Sequence, residues 1–122
     1  MRIVTLAIAT ITLTTLGTMF GSAAPQDPAV VNAKTIKVTL DNPRVRVMEA
    51  TLKPGDKEQM HAHKTPYVVY VIAGGVVRNH NPDGTTSETT FTPGQTLYRD
   101  PVTHWSENIG KTTIRTLVVE LR

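Results

Sequence analysis

His61 and His63 stand two residues apart in Gln59-Met60-His61-Ala62-His63-Lys64-Thr65. On an extended backbone alternate side chains share a face, so both imidazoles project together, with Gln59 and Thr65 beside them and Met60, Ala62 and Lys64 opposite. Neutral imidazole nitrogen is the commonest protein ligand for first-row transition metals. Two such groups on one face chelate a single ion when a third donor arrives from another strand, and His104 is the candidate for that donor. Gln59 is a weak candidate for a fourth. His80 precedes Asn81-Pro82-Asp83-Gly84, a hairpin-loop sequence, and reads as a solvated histidine rather than a ligand. The chain contains no cysteine, which removes thiolate metal sites, disulfides and a cysteine nucleophile.

The elements that must carry these histidines are strands. Of 122 residues, 20 are Thr, 14 Val and 7 Ile, and such β-branched side chains lose rotamer freedom in helices but pack well on a pleated surface. Turn chemistry recurs at close intervals, at Asp41-Asn42-Pro43, Lys53-Pro54-Gly55-Asp56, Gly74-Gly75, Asn81-Pro82-Asp83-Gly84, Pro93-Gly94, Asp100-Pro101 and Asn108-Ile109-Gly110-Lys111. Between the turns lie nine segments of strand type: 35–40, 44–52, 57–63, 67–72, 76–80, 85–92, 96–99, 103–108 and 112–121. Nine short strands at this spacing predict an all-β sandwich or barrel. Tyr67 to Ile72 is apolar on both phases, which predicts a central strand covered on both faces. Arg44 to Leu52 carries Val45 and Val47 in one phase but Met48, Ala50 and Leu52 in the other, which predicts a bulge near Met48. Trp105, alternating with His104, faces away from the site, and Asn108 fixes a turn.

Residues 1–24 open with Arg2, run uncharged from Ile3 to Phe20, and exit through Gly21, Ser22, Ala23 and Ala24. A positive start, an apolar stretch and a small-residue exit predict a signal peptide over residues 1–23 and export to the periplasm or the medium. The alternative is a retained membrane anchor, which six threonines between Thr5 and Thr18 argue against. Residues 24–33, with Pro25, Asp27 and Pro28, read as a linker, and residues 34–122 as the β domain. The 13 Lys and Arg against 10 Asp and Glu form no basic run, so nucleic acid is not an expected partner. A small domain with edge strands such as Thr35 to Leu40 is expected to pair as a homodimer.

The segment Gly55-x5-His61-x-His63-x3-Tyr67-x6-Gly74 resembles the first signature of the cupin superfamily, Gly-x5-His-x-His-x3,4-Glu-x6-Gly, at every spacing. Only the Glu position departs, being Tyr67. Gly94, Pro101 and His104-x3-Asn108 resemble the second signature, with one extra residue between Gly and Pro and no glycine between Pro and His. The resemblance covers about residues 42–122. It implies a double-stranded β-helix, or jelly-roll, cupin barrel with a divalent transition metal (Fe, Mn, Ni, Cu or Zn) held inside by His61, His63 and His104. Tyr67 then stands at the carboxylate-ligand position. A phenol near pKa 10 is a poor substitute for Glu toward a divalent ion, which leaves a three-histidine site and makes Tyr67 a candidate for packing in the barrel mouth or for orienting a substrate.

Three readings of function follow. The first is a metal-dependent enzyme, an oxygenase whose ion keeps open positions for a small organic substrate and dioxygen. The second is a non-catalytic cupin that binds a small molecule without metal. A third resembles the metal-free sugar epimerases of the superfamily, with His61 or His63 and Tyr67 as base and acid, though cationic residues for a nucleotide diphosphate are not evident.

Overall fold

The computed structural model describes residues 26–122, so the expected signal peptide at residues 1–23 lies outside the described residues. Among the described residues no helix is long and apolar enough to cross a membrane. The strands are β1 (Ile36–Asp41), β2 (Val45–Leu52), β3 (His61–His63), β4 (Tyr67–Ala73), β5 (Gly75–His80), β6 (Thr86–Phe91), β7 (Thr96–Arg99), β8 (Val102–Asn108) and β9 (Ile114–Leu121). Eight of them match the expected segments to within two residues at either end, because turn residues stop the strands where their backbone requirements say they should. Gly55 adopts φ +84°, which side-chain-bearing residues resist. At Gly74 the reason is space, since a Cβ there would lie 2.3 Å from the Phe91 carbonyl oxygen.

The strands form two antiparallel sheets, β1-β2-β9-β4-β7 and β3-β8-β5-β6. Register converts the sequence into rungs that cross each sheet. On the inner face of the five-stranded sheet one rung runs Arg46, Glu120, Tyr67, Arg99, and the next runs Met48, Val118, Val69, Leu97. The second rung, with Ile36, is the core of the barrel's histidine end. Leu52, Val77 and Ile114 form a second core toward the other end. Burying a Val, Leu or Met side chain contributes about 1.5–3 kcal/mol, so these two clusters supply the main driving force.

Three expectations about strands need correction. In β2 the buried phase does not change at Met48: Arg46, Met48, Ala50 and Leu52 all belong to the inward phase. Arg46 faces inward because two carboxylates, one of them buried, neutralise it, and the irregularity lies on the neighbouring strand, between Val38 and Leu40. In β4 only Tyr67, Val69 and Val71 are buried, while Tyr70 and Ile72 are exposed, so one face is solvated. That outer face stays apolar across all five strands, through Leu40, Val47, Val119, Val68 and Tyr98 in register. Finally, residues 57–60 are not continuous with β3. They leave one isolated bridge, Lys57 to Glu107, and the strand parity used to place Gln59 is lost there.

The stretch read as a linker is tied into the barrel. Asp27 caps a one-turn helix, α1 (Pro28–Val31), its side chain accepting from the Ala29 amide at 2.9 Å, with Pro28 at the first helical position. Both are favoured N-terminal residues, although the same pair also marks turns. Gln26 bridges to β3, its carbonyl accepting from the Ala62 amide at 3.0 Å. Residues 26–32 thus act as a strap along the short histidine strand.

Candidate metal centre

β3 and β8 are antiparallel neighbours that set His61 opposite His104 and His63 opposite Val102. The three imidazoles therefore converge from two strands. Their ring centroids are 5.1 Å (His61 to His63), 4.8 Å (His61 to His104) and 5.4 Å (His63 to His104) apart. One nitrogen from each lies within 4.8 Å of the others, close enough for all three to reach one ion. His61 and His63 are buried, at 1% and 6% exposure.

Hydrogen bonds fix which nitrogens face inward. His61 Nδ1 is held between the Gln59 carbonyl at 2.8 Å and the Asn32 side-chain amide nitrogen at 3.1 Å, and His63 Nδ1 donates to Glu120 Oε1 at 2.9 Å. With Nδ1 engaged in this way, Nε2 of each ring is left to face the cavity, the arrangement by which outer partners orient metal-ligating histidines. Burial lowers His61 to a pKa of about 4, against the bond to Gln59. Burial, then the neighbouring His61, His63 and Arg99, lowers His104 to about 3. Both rings are neutral at pH 7. Three convergent imidazole nitrogens fit a divalent transition ion better than they fit a hard cation such as Ca²⁺ or Mg²⁺, which prefers oxygen.

Behind His63 runs a charged relay. Arg46 donates to Glu120 Oε2 at 2.8 Å and to Asp27 Oδ2 at 2.5 Å, so the chain is Asp27, Arg46, Glu120, His63. Burial alone would raise Glu120, but the bond from His63 and the charge of Arg46 outweigh it and hold the carboxyl below its ordinary value. Behind His61, Asn32 accepts from the Gln59 amide at 2.7 Å and donates to its carbonyl at 3.4 Å. That clamp turns the Gln59 side chain out to solvent. Gln59 is therefore no ligand, contrary to the strand-parity argument.

Tyr67 stacks on His63, with centroids 4.2 Å apart and planes at 24°. Burial raises its hydroxyl to about 12, against the nearby charge of Arg99, so it stays protonated and serves as a packing wall rather than an ionised ligand. The cavity beside the triad encloses about 320 Å³. Its lining includes all three histidines, Tyr67, Arg99 and Ser106, whereas Tyr98 is 62% exposed on the outside. It also includes Glu58, 8% exposed, which burial pushes up to about 7 against hydrogen bonds from Ser106.

The remaining assignments divide. Trp105 does face away from the site, but His80 is not free in solvent: it stacks on Trp105 at 3.6 Å and pairs with Glu107 at 3.1 Å. Asn108 does fix a turn, accepting from the Gly110 amide, and it also donates to the Leu52 and Thr112 carbonyls.

Solved structures with the same chain path give this arrangement its context. A cupin domain from Bordetella pertussis Tohama I superposes with a TM-score of 0.66 at 28% identity, covering 71% of this chain and 91% of that one. The chain is a small cupin. A double-stranded β-helix protein from Klebsiella pneumoniae matches with a TM-score of 0.57 at 21% identity over 70% of this chain and 73% of that one. An RmlC-like cupin from Methanocaldococcus jannaschii, at 15% identity, also has a TM-score of 0.57 over 70% and 77%. These last two share the fold alone. No family model and no curated protein matches the sequence. The all-β, double-stranded β-helix expectation thus holds for this cupin.

Glu58, Glu120, Arg46, Asp27 and Asn32 were not foreseen. For Glu120 a signal existed: it falls in phase with Ile114, Thr116 and Val118 on β9, all buried, and a charge on a buried phase asks for a partner. No comparable signal marked the ties from Asp27 to Arg46 or from Asn32 to Gln59, which only tertiary contact supplies.

Proposed function

We propose that this cupin is exported and binds one divalent transition metal (iron, manganese, nickel, copper or zinc) through His61, His63 and His104, acting as an oxygenase on a small organic molecule. The observation that carries the reading is the convergence of three imidazole nitrogens to within 4.8 Å, with the Nδ1 atoms of His61 and His63 already engaged behind them. An ion bound there would supply Lewis acidity and open coordination positions for substrate. The chain's own residues do the rest: Tyr67 shields one side of His63, and Glu120 and Arg46 hold its ring in place.

Metal analysis of the purified protein tests the proposal. About one transition-metal ion per chain is expected, and substitution of any of the three histidines by alanine removes most of it. A protein that takes up no transition metal at neutral pH overturns the reading. The second reading, a small-molecule binder without metal, would then lead, because the cavity and its lining are present whether or not an ion is held.

Export is part of the proposal. Intact mass of the mature protein is expected to correspond to a chain starting at Ala24 or Pro25, and full-length protein in the membrane fraction would overturn it.

A further inference from the structure

The cavity has two unlike walls. On the five-stranded sheet the rung Met48, Val118, Val69, Leu97 is wholly apolar. Facing it, the four-stranded sheet presents a polar rung. Asn79 pairs in register with Ser106 on one side and Ser87 on the other, and Glu58 extends the row, its amide donating to the Ser106 carbonyl at 2.9 Å. All four line the cavity. Ser106 is two residues beyond His104 on β8, so this rung lies about 7 Å from the histidines along the strand.

The polar rung is unfinished in a specific way. Glu58 is buried, yet among the described residues no cation pairs with it. Its carboxyl takes hydrogen bonds from Ser106, but a buried carboxyl without a cation still favours a further donor. The Ser106 hydroxyl donates to Asn79 Oδ1 at 3.0 Å, which leaves the amide nitrogen of Asn79 as the donor of the rung. An acceptor and a donor thus sit on one wall opposite a largely apolar one, whose next rung, Ala50, Thr116, Val71, adds a single hydroxyl. A hydroxyl group satisfies both at once, because it donates to the carboxyl and accepts from the amide. An ammonium group offers donors only.

We propose that Glu58, Ser106, Asn79 and Ser87 form a second subsite of the cavity, which takes the hydroxyl of a ligand whose other end reaches the histidine rung about 7 Å away. The apolar wall takes the ligand's hydrocarbon face. The substrate class is therefore a small hydroxylated molecule with an apolar frame, a phenol or hydroxyalkyl compound with a metal-seeking head. The head-group half of this statement rests on the metal reading above. The hydroxyl half does not.

A matched set of probes separates the two halves. Benzohydroxamates carrying a para hydroxyl, methyl or aminomethyl group share one chelating head and differ only at the far end. On zinc-loaded protein, calorimetry is expected to show the hydroxyl compound binding about ten-fold tighter than the methyl one, the worth of a well-made hydrogen bond pair. Asn79→Ala and Glu58→Gln should erase most of that preference while leaving the methyl compound's affinity unchanged. Ser87→Ala, at the exposed end of the rung, should reduce the preference without touching the fold. Equal affinities in the wild type, or a preference that survives these substitutions, overturns the subsite. Preference for the aminomethyl compound overturns the hydroxyl assignment in favour of an ammonium site. If the protein takes no zinc, the metal reading fails. The subsite is then read on metal-free protein by ¹⁵N NMR, where the Asn79 side-chain amide should shift with the hydroxyl compound and not the methyl one, and no shift overturns it.

Discussion

Tyr67 and Glu120 are cross-strand partners on the inner face of the barrel. The carboxylate that the cupin pattern would place at position 67 is thus present one strand away, but it reaches the centre indirectly. Glu120 accepts from His63 Nδ1 at 2.9 Å and faces Arg46 on its other side. The candidate donor set is accordingly three imidazoles, with the acid in a supporting position.

Substitution at position 67 separates these roles. Tyr67→Phe keeps the ring stacked on His63 and removes a hydroxyl that burial holds in its neutral form. Metal content measured by mass spectrometry is expected to stay close to wild type. Loss of metal in Tyr67→Phe would show that the phenol itself is a ligand.

Arg46 holds two carboxylates, Glu120 and Asp27, of which Glu120 is buried. Arg46→Met preserves much of the packing but leaves Glu120 without its cation, a change expected to cost about 3–5 kcal/mol. Urea denaturation of the metal-free protein measures it. Adding Glu120→Gln should recover part of the loss, because the uncompensated charge is then gone.

Acid should act on the centre late. Free histidine titrates near 6.5, but His61 and His104 are lowered to about 4 and about 3. Metal release, followed by dialysis at stepped pH, is expected to occur well below pH 6 rather than near 6.5. Their contribution to stability has the same sign: the unfolded chain binds the extra protons, so stability is lost as pH falls from 6.5 through these values.

Glu58 works in the opposite direction. Its carboxyl rises from 4.5 to about 7 through burial, so the folded state holds the extra proton and stability falls as pH rises through that window. Glu58→Gln is expected to gain stability relative to wild type between pH 5 and pH 8, by up to about 3 kcal/mol. Equal differences at the two pH values would show that the carboxyl is not buried as described.

Self-association should involve the five-stranded sheet, whose outer face carries Leu40, Val47, Val119, Val68 and Tyr98 in one row ending at the edge strand β1. Sedimentation at micromolar concentration is expected to show a dimer. Leu40→Lys places a charge on both the row and the edge and should shift it to monomer; a wild type that is monomeric throughout contradicts the expectation.

The strands and the histidine triad could be read because both rest on local chemistry. Turn residues bound the strands, and a period of two put His61 and His63 together. His104 needed more, since its pairing with His61 is a long-range contact: the residues offered it as a candidate third donor, and the resemblance to a known pattern strengthened that choice. Parity failed at Gln59 for a physical reason: Asn32 clamps both polar groups of its peptide, and that residue lies in a segment whose Asp-Pro opening looks the same in a linker and in a capped helix. Arg46 misled for the converse reason. A cation on the inward phase argues against burial until its partners, Asp27 and Glu120, are known.

His63 meets Glu120 across 57 residues of sequence, and Arg46 meets Glu120 across 74, while the strap at Gln26 grips the same short strand from the other end of the barrel domain. A partly synthesised chain therefore has no assembled set of donors to offer. Under the proposed function, the choice among competing ions is deferred until the last strand is in place. Affinities for divalent metals follow a fixed order that favours copper over manganese and iron, so the ion this cupin carries would be decided by the metal supply of whichever compartment sees its final strand dock.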